Sequence, residues 1–170
     1  MSAVGFAFMQ HVAMHGLSYG TVEEFEFRKN LFAEKDAQIK EFMSEEHNFT
    51  VGHNKFSTYT SDEYKKILGY KAIPVEGNHL ILEADSVGVP SSVNWVTAGA
   101  VTPVKDQGQC GSCWTFSSTG ALEGAYYNST GNLWSFAEQE LVDCVKTCFG
   151  CNGGNQSLAF NYLKHHYAYL

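Results

Sequence analysis

The stretch Gln107-Gly-Gln-Cys-Gly-Ser-Cys-Trp114 sets a cysteine between a glycine-rich turn and the start of a helical pattern. From Cys113 onward Trp114, Ser117, Ala121, Leu122 and Ala125 recur on one helix face, and Gly131 follows the last turn. The small residues on that face predict close packing against it. A cysteine at a helix start meets free backbone amides and the positive end of the helix dipole, which favour a thiolate over a thiol. A thiolate is the form that attacks a carbonyl carbon. Gly108 and Gly111 permit a tight turn and close approach of a ligand. Gln107 carries an amide NH2 that can donate to a developing oxyanion, beside the Cys113 backbone N–H.

Other readings stay open at these residues. Cys113 can be a buried thiol or one half of a disulfide. Cys110-x2-Cys113 and Cys148-x2-Cys151 together mimic a two-knuckle zinc site, although 34 residues separate the pairs where such ribbons use about 15–20. Cys-Gly-Ser-Cys also fits a redox dithiol, but no βαβ pattern surrounds it.

Outward from this stretch, residues 138–144 read as another helix, carrying Leu141 and Val142. Toward the N-terminus, residues 73–90 hold Pro74, Gly77, Gly88 and Pro90 without periodicity and read as an extended connector. Residues 61–68 read as a short helix with Ser61 as N-cap. Before them, Val22, Phe25, Leu31, Phe32, Ile39, Phe42 and Met43 trace an amphipathic helix over about 22–46. Thr21-Val-Glu-Glu24 opens it as a capping box, and the segment before Gly16 reads as a shorter partner helix. Charge divides unevenly: residues 1–88 hold 8 Lys/Arg and 13 Asp/Glu, residues 89–170 only 3 and 5. Two regions with different roles follow from that asymmetry. A net charge of −7 gives no reason to expect nucleic acid or an anionic membrane as partner. A hydrophobic content of 44% supports a folded core. No apolar run is long enough to span a bilayer. Ala3–Met9 lacks the basic start and cleavage site of a convincing signal peptide. Asn48-Phe-Thr, Asn128-Ser-Thr and Asn155-Gln-Ser fit the glycosylation acceptor pattern.

Several blocks now combine. Val89-Pro-Ser-Ser-Val-Asn-Trp95 is followed by Gly99-Ala-Val-Thr-Pro-Val-Lys-Asp-Gln-Gly-Gln-Cys-Gly-Ser-Cys-Trp-Thr-Phe-Ser117, then Glu138-Gln-Glu-Leu-Val-Asp-Cys144 and Gly150-Cys-Asn-Gly-Gly154. This series resembles the first part of a mature papain-family cysteine protease, whose local signature includes C-G-[SA]-C-[WY]. The first half is similar to the helical inhibitory propeptide of that family. Glu24, Arg28, Phe32 and Ile39 match its interrupted helix motif, with Lys35 and Met43 where asparagines are expected. Gly52, Asn54 and Phe56 match the next motif, whose closing acidic position holds Thr58.

The resemblance implies a mainly α chain: a helical propeptide over 1–73, a connector through the cleft over 74–88, and the helical left half of a papain-like α+β fold over 89–170, without the right-hand β domain. It makes Cys113 the nucleophile and Gln107 the oxyanion donor. It implies a Cys110–Cys151 disulfide and a substrate site formed by Gly111, Trp114, Gly153, Gly154, Asn155 and Gln156. Gly153 and Gly154 would pair backbone-to-backbone with substrate, and Asn155 and Gln156 would border a neighbouring pocket. Cys144 would pair with a cysteine outside this chain and Cys148 has no family role, while pairing of Cys144 with Cys148 stays open on the sequence. No cofactor or metal is implied. Implied partners are peptide or protein substrates and the chain's own propeptide, in a lysosomal, vacuolar or secreted setting.

The family also needs a His base and an orienting Asn about 130–150 residues past the nucleophile, whereas 57 residues follow Cys113 here. None of the seven histidines stands in a matching context. The chain therefore reads as a truncated proenzyme or as a fragment of a longer gene product, ending before the base, inactive by itself and exposing an apolar face. A different class of function is a propeptide-like inhibitor acting on related proteases. An inhibitor, however, has no use for Gln107, Cys110, Cys113 and Gly153-Gly154 at these spacings.

Overall fold

The computed structural model describes residues 2–74, 88, 90–166 and 168. The chain divides into two compact units, Met1–Lys65 and Lys66–Leu170. Apart from one isolated bridge, the described residues form helices and loops without strands, so the chain is mainly α. Residues 75–87 of the expected connector lie outside the described residues.

In the first unit, α1 (Ala3–Met14) starts where the Ser2 hydroxyl accepts the Gly5 N–H. The longer α2 (Val22–Phe42) starts where Thr21 Oγ1 accepts the Glu24 N–H at 3.1 Å. The second half of the expected capping box is not made, because Glu24 Oε1 takes Arg28 Nη2 instead. The helix also stops at Phe42, short of 46. There the Ser44 hydroxyl donates to Glu41 O, and His47 Nε2–H donates to Phe42 O at 2.9 Å. Continuing would have set Glu45 and Glu46 at the negative end of the dipole. A third helix, α3 (Ser61–Lys66), is capped by Thr60 rather than Ser61. Thr60 Oγ1 accepts from Glu63 N–H, and Glu63 Oε2 accepts from Thr60 N–H, a complete capping box.

The core of this unit is aromatic. Phe8 and Phe32 are buried, with Phe25 and Tyr19 around Phe8. Val22 and Met43, expected on the apolar face, are exposed. His11 sits in the same core against Phe32, 4.5 Å from the His15 ring and 6.2 Å from the His53 ring. Its Nε2 has no hydrogen-bond partner among the described residues. Burial, then repulsion from His15 and His53, pushes His11 down to about 4.

Arg28 supplies the main polar tie. Its two Nη atoms donate to the two Glu63 carboxylate oxygens at 2.6 Å each, and Nη1 also donates to Thr58 O. Arg28 thus joins α2 to α3 and does more than form a surface pair with Glu24. The Arg28 fork, with the Thr60 hydrogen bonds, holds the Glu63 carboxyl down at about 2. The same contact raises the Arg28 guanidinium further.

In the second unit, α4 (Cys113–Thr130) packs on α5 (Glu138–Cys144) and α6 (Gln156–Leu163). A 3-10 turn, Gly150–Asn152, precedes α6. Gly131 closes α4 at a φ of 74°, as its position in the sequence implies. Trp114, Leu141, Val145, Cys148 and Ala159 form the core. Of the expected α4 face Trp114 is buried, whereas Ser117, Ala121 and Ala125 are exposed; Thr115, Ser118, Thr119 and Glu123 face inward beside Trp114. The reason is an ionic network. The Glu123 carboxylate accepts from Thr102 Oγ1, Lys105 Nζ and Phe136 N–H. Lys105 also donates to Glu138, which accepts from Thr119 Oγ1. Burial pushes the Glu123 carboxyl up, but these hydrogen bonds outweigh it and hold it below its usual range. Trp95, Val96, Val101, Val104 and Phe149 expose apolar surface on this unit.

Two predictions follow from the first unit. Arg28→Lys loses the two-pronged geometry and lowers the stability of the unit by about 1.5–3 kcal/mol, read by chemical denaturation at pH 7. Acidification also weakens it. Unfolded His11 takes up a proton at its ordinary 6.5 and folded His11 only near 4. The His11 contribution is therefore complete above pH 6.5 and is lost as pH falls toward 4. His11→Phe flattens this part of the stability–pH curve, measured by urea midpoints across the range.

Candidate active site

Cys113 is the first residue of α4, and the turn preceding it is pinned from two directions. Cys110 is disulfide-bonded to Cys151, and Gly111 N–H donates to Cys151 O at 2.9 Å. The disulfide takes one cysteine from each Cys-x2-Cys pair, which removes both the zinc arrangement and the Cys110–Cys113 dithiol. Cys144 is free and exposed, and Cys148 is free and buried.

Residues 67–71 lie on this turn as a strap. Gly69 N–H donates to Cys113 Sγ at 3.2 Å. The Gln107 side-chain amide donates to Ile67 O at 2.8 Å and to Cys110 O at 2.7 Å. Gly154 N–H donates to Gly69 O, and Lys71 N–H donates to Gly154 O, each at 2.8 Å. This is a parallel bridge between Tyr70 and Gly154. Asn155 Nδ2 adds a hydrogen bond to Lys71 O at 2.9 Å.

Glycine is required where these backbones cross. A Cβ on Gly69 would lie 1.8 Å from Gly111 O, and one on Gly111 would lie 2.4 Å from Cys151 O. A Cβ on Gly154 would enter the Trp114 ring at 2.5 Å. Gly153 has a φ of 114°, and a Cβ there would meet Gly69 O at 2.6 Å.

The structure brings most of the expected site residues together: Gln107, Gly111, Cys113, Gly153, Gly154 and Asn155 all border the strap. Two differ from expectation. Trp114 is completely buried and donates Nε1–H to Gly150 O, so it supports Gly154 from beneath and offers no surface to a substrate. Gly153 leaves room but does not pair with the strap, because its N–H donates to Gly150 O and its C=O accepts from Phe149 N–H within the 149–153 turn. Asn155 is buried as the N-cap of α6, its Oδ1 accepting Ser157 N–H. Gln156 is half-buried and donates to the Ser117 hydroxyl. In the first unit, Glu24, Arg28 and Phe32 are placed as described above. Ile39, Gly52, Asn54 and Phe56 line a groove there with Tyr59 and Tyr64, and Asn54 Oδ1 accepts the Phe56 N–H.

Sequence reading passed over the strap residues Ile67, Gly69 and Lys71, and the ionic partners Glu63, Lys105 and Glu123. The signal for Glu123 was present: it is a lone charge between Ala121-Leu122 and Gly124-Ala125 in a region with few charges.

Residues 89–168 match the papain family cysteine protease model, and residues 8–64 match the cathepsin propeptide inhibitor domain (I29). The chain belongs to the papain family of cysteine proteases, with an I29 propeptide. It is similar to procathepsin L of Mus musculus, with 40% identity over 162 residues, which cover 91% of this chain and 48% of that protein. Pro-cathepsin H of Medicago truncatula is 41% identical over 169 residues, or 96% of this chain and 47% of that one. Among solved structures, the recombinant stem bromelain precursor superposes with a TM-score of 0.82 at 31% identity, covering 95% of this chain and 53% of the other. Digestive procathepsin L 3 of Tenebrio molitor larval midgut gives 0.79 at 32% identity, covering 99% and 56%. The chain thus spans about half the length of the papain-family relatives it matches.

The crossing of Gly69 over Gly111 generates a prediction. Gly69→Ala weakens strap closure by about 1–3 kcal/mol, the usual cost of overpacking. Alkylation of Cys113 by iodoacetamide then accelerates by roughly 5- to 150-fold, at about 1.4 kcal/mol per factor of ten. Gly120→Ala, at a position with nothing within 4 Å of the new Cβ, leaves the rate unchanged.

Proposed function

We propose that this chain is the front part of a papain-like cysteine peptidase zymogen, held latent by its own strap. The observation that carries the reading is one segment engaging three parts of the machinery at once. Residues 67–71 occupy the Cys113 thiol, the Gln107 amide and the Gly154 backbone. The Gln107 amide grips a backbone carbonyl oxygen, the group that becomes an oxyanion when a thiolate attacks.

In the proposed reaction the strap is displaced and a peptide takes its place. Cys113 Sγ attacks the scissile carbonyl carbon, forming the C–S bond while Gln107 and the Cys113 N–H receive the oxyanion. Collapse breaks the C–N bond, and the amine leaves with the proton that the family's His base took from the Cys113 thiol. Water then hydrolyses the thioester and returns the thiol. Peptide and protein substrates are the partners of this site. Residues 1–73 are the propeptide, 74–88 the connector and 89–170 the start of the peptidase domain. The setting is the secretory route, ending in a lysosome, vacuole or the exterior.

Among the described residues no histidine is bonded to Cys113, whose hydrogen-bond partner is Gly69 N–H. Loss of the base of a catalytic unit costs roughly 10⁶ in rate. These 170 residues alone are therefore expected to alkylate at Cys113 without turning over peptides. The test is a fluorogenic peptide assay beside active-site labelling, with Cys113→Ala as control. Turnover at ordinary peptidase rates by the 170 residues would refute the latent reading, and absence of labelling even in Gly69→Ala would refute the assignment of Cys113.

A second reading is favoured by the separate aromatic core and ion pairs of the first unit: residues 1–88 inhibit related cysteine proteases in trans. Inhibition of such a protease by residues 1–88 in a steady-state assay would support it.

A further inference from the structure

The three acceptor patterns Asn48-Phe-Thr50, Asn128-Ser-Thr130 and Asn155-Gln-Ser157 are equivalent as sequence. Their surroundings in the folded chain are not. Asn48 lies in the loop after α2, where residues 43–52 are all exposed. Neither the Asn48 nor the Thr50 side chain makes a hydrogen bond among the described residues, so adding a sugar displaces nothing there. Asn128 is exposed on the last turn of α4, just before the left-handed Gly131 that ends the helix. Its amide is likewise unused. The Thr130 hydroxyl, the second element of the acceptor pattern, donates to Tyr126 O and accepts the Asn132 N–H at the end of the helix. Asn128 also borders a shallow groove floored by Trp95, Ala121 and Ala125, whose apolar surface is open to solvent.

Asn155 is the opposite case. It is 5% exposed. Its Oδ1 caps α6 through Ser157 N–H, and its Nδ2 donates to Lys71 O in the strap. A sugar would replace one of the two Nδ2 hydrogens and require space beside residue 71, whose carbonyl oxygen lies 2.9 Å from Nδ2.

We propose that Asn48 and Asn128 are N-glycan acceptors and that Asn155 is not. The donor is a polyprenyl-diphosphate-linked oligosaccharide of the secretory route. The amide nitrogen of each asparagine attacks the anomeric carbon. An N–C bond forms, the C–O bond to the diphosphate breaks, and the amide loses one proton as the lipid diphosphate leaves. The glycan on Asn128 covers the Trp95 groove, and the glycan on Asn48 extends from the first unit. This inference rests on the secretory part of the proposed function.

The test expresses all 170 residues behind an added cleavable secretory leader in a eukaryotic host. Secreted chain is digested with peptide N-glycosidase in heavy-oxygen water, which marks each formerly glycosylated asparagine as aspartate, and the peptides are mapped by mass. The expected result is label at Asn48 and Asn128 and none at Asn155. Thr50→Ala and Thr130→Ala each remove one glycan while keeping the asparagine. Unmodified Asn48 or Asn128 in the secreted chain, or a glycan on Asn155, overturns the proposal. Because mapping is done on the unsubstituted chain, it does not depend on any variant folding. Since the added leader supplies entry to the secretory route, unlabelled Asn48 or Asn128 counts against the acceptor assignment and not against the secretory reading, which localisation of the native protein in its own host tests.

Discussion

The second unit depends on backbones meeting without side chains between them. Gly69 crosses Gly111 with no room for a Cβ, and Gly154 lies directly on the Trp114 ring. Only at that separation can Gly69 N–H reach Cys113 Sγ while Gly154 exchanges hydrogen bonds with Gly69 and Lys71. The Cys110–Cys151 disulfide and the Gly111 N–H to Cys151 O hydrogen bond hold the two sides of that contact together. The proposed nucleophile, the proposed oxyanion donor and the strap are therefore parts of one backbone arrangement. Trp114 belongs to it as a floor: its indole is tied to Gly150 O, and Gly154 rests upon it.

Each unit also has its own charged tie. In the first, Arg28 meets Glu63 through two parallel hydrogen bonds and takes Thr58 O as well. In the second, Lys105 lies between Glu123 and Glu138, with Thr102 and Thr119 completing the carboxylate partners. The Glu123 carboxylate is nearly inaccessible to solvent, yet every hydrogen bond it accepts comes from a fixed donor. That is the condition under which a buried charge is tolerated. These ties join helices whose apolar contacts are few. α2 buries a single side chain fully, Phe32, and α4 buries mostly polar ones.

Much of the helix plan was legible because helix signals are local. Thr21, Gly131 and the apolar spacing of residues 22–42 mark their elements within a few residues of chain. The departures arise where a second side chain competes for a group that the local pattern assigns elsewhere. Glu24 left the capping box for Arg28, four residues on, and Thr60 displaced Ser61 as cap because Glu63 completed the box. The buried face of α4 keeps Trp114 but otherwise departs from the apolar spacing, because periodicity counts apolar residues while Lys105 and Phe136 N–H draw Glu123 inward. The identities of Cys113 and Gln107 were legible from a short motif with a chemical rationale. The strap was not, since nothing in Ile67-Leu68-Gly69-Tyr70-Lys71 by itself points to a thiol more than forty residues away.

By itself, the sequence determined where α2, α4 and α5 begin, the glycine-rich turn before Cys113 and the family, since local hydrogen bonding and motif spacing are written in adjacent residues. Tertiary structure alone decided which groups occupy the Cys113 site. It also decided that Trp114 is floor rather than wall, that Gly153 gives room while Gly154 pairs, and which of three identical acceptor patterns stays open. Those outcomes depend on where distant backbone amides and carbonyls come within about 3 Å of one another, the range over which a hydrogen bond is made or lost.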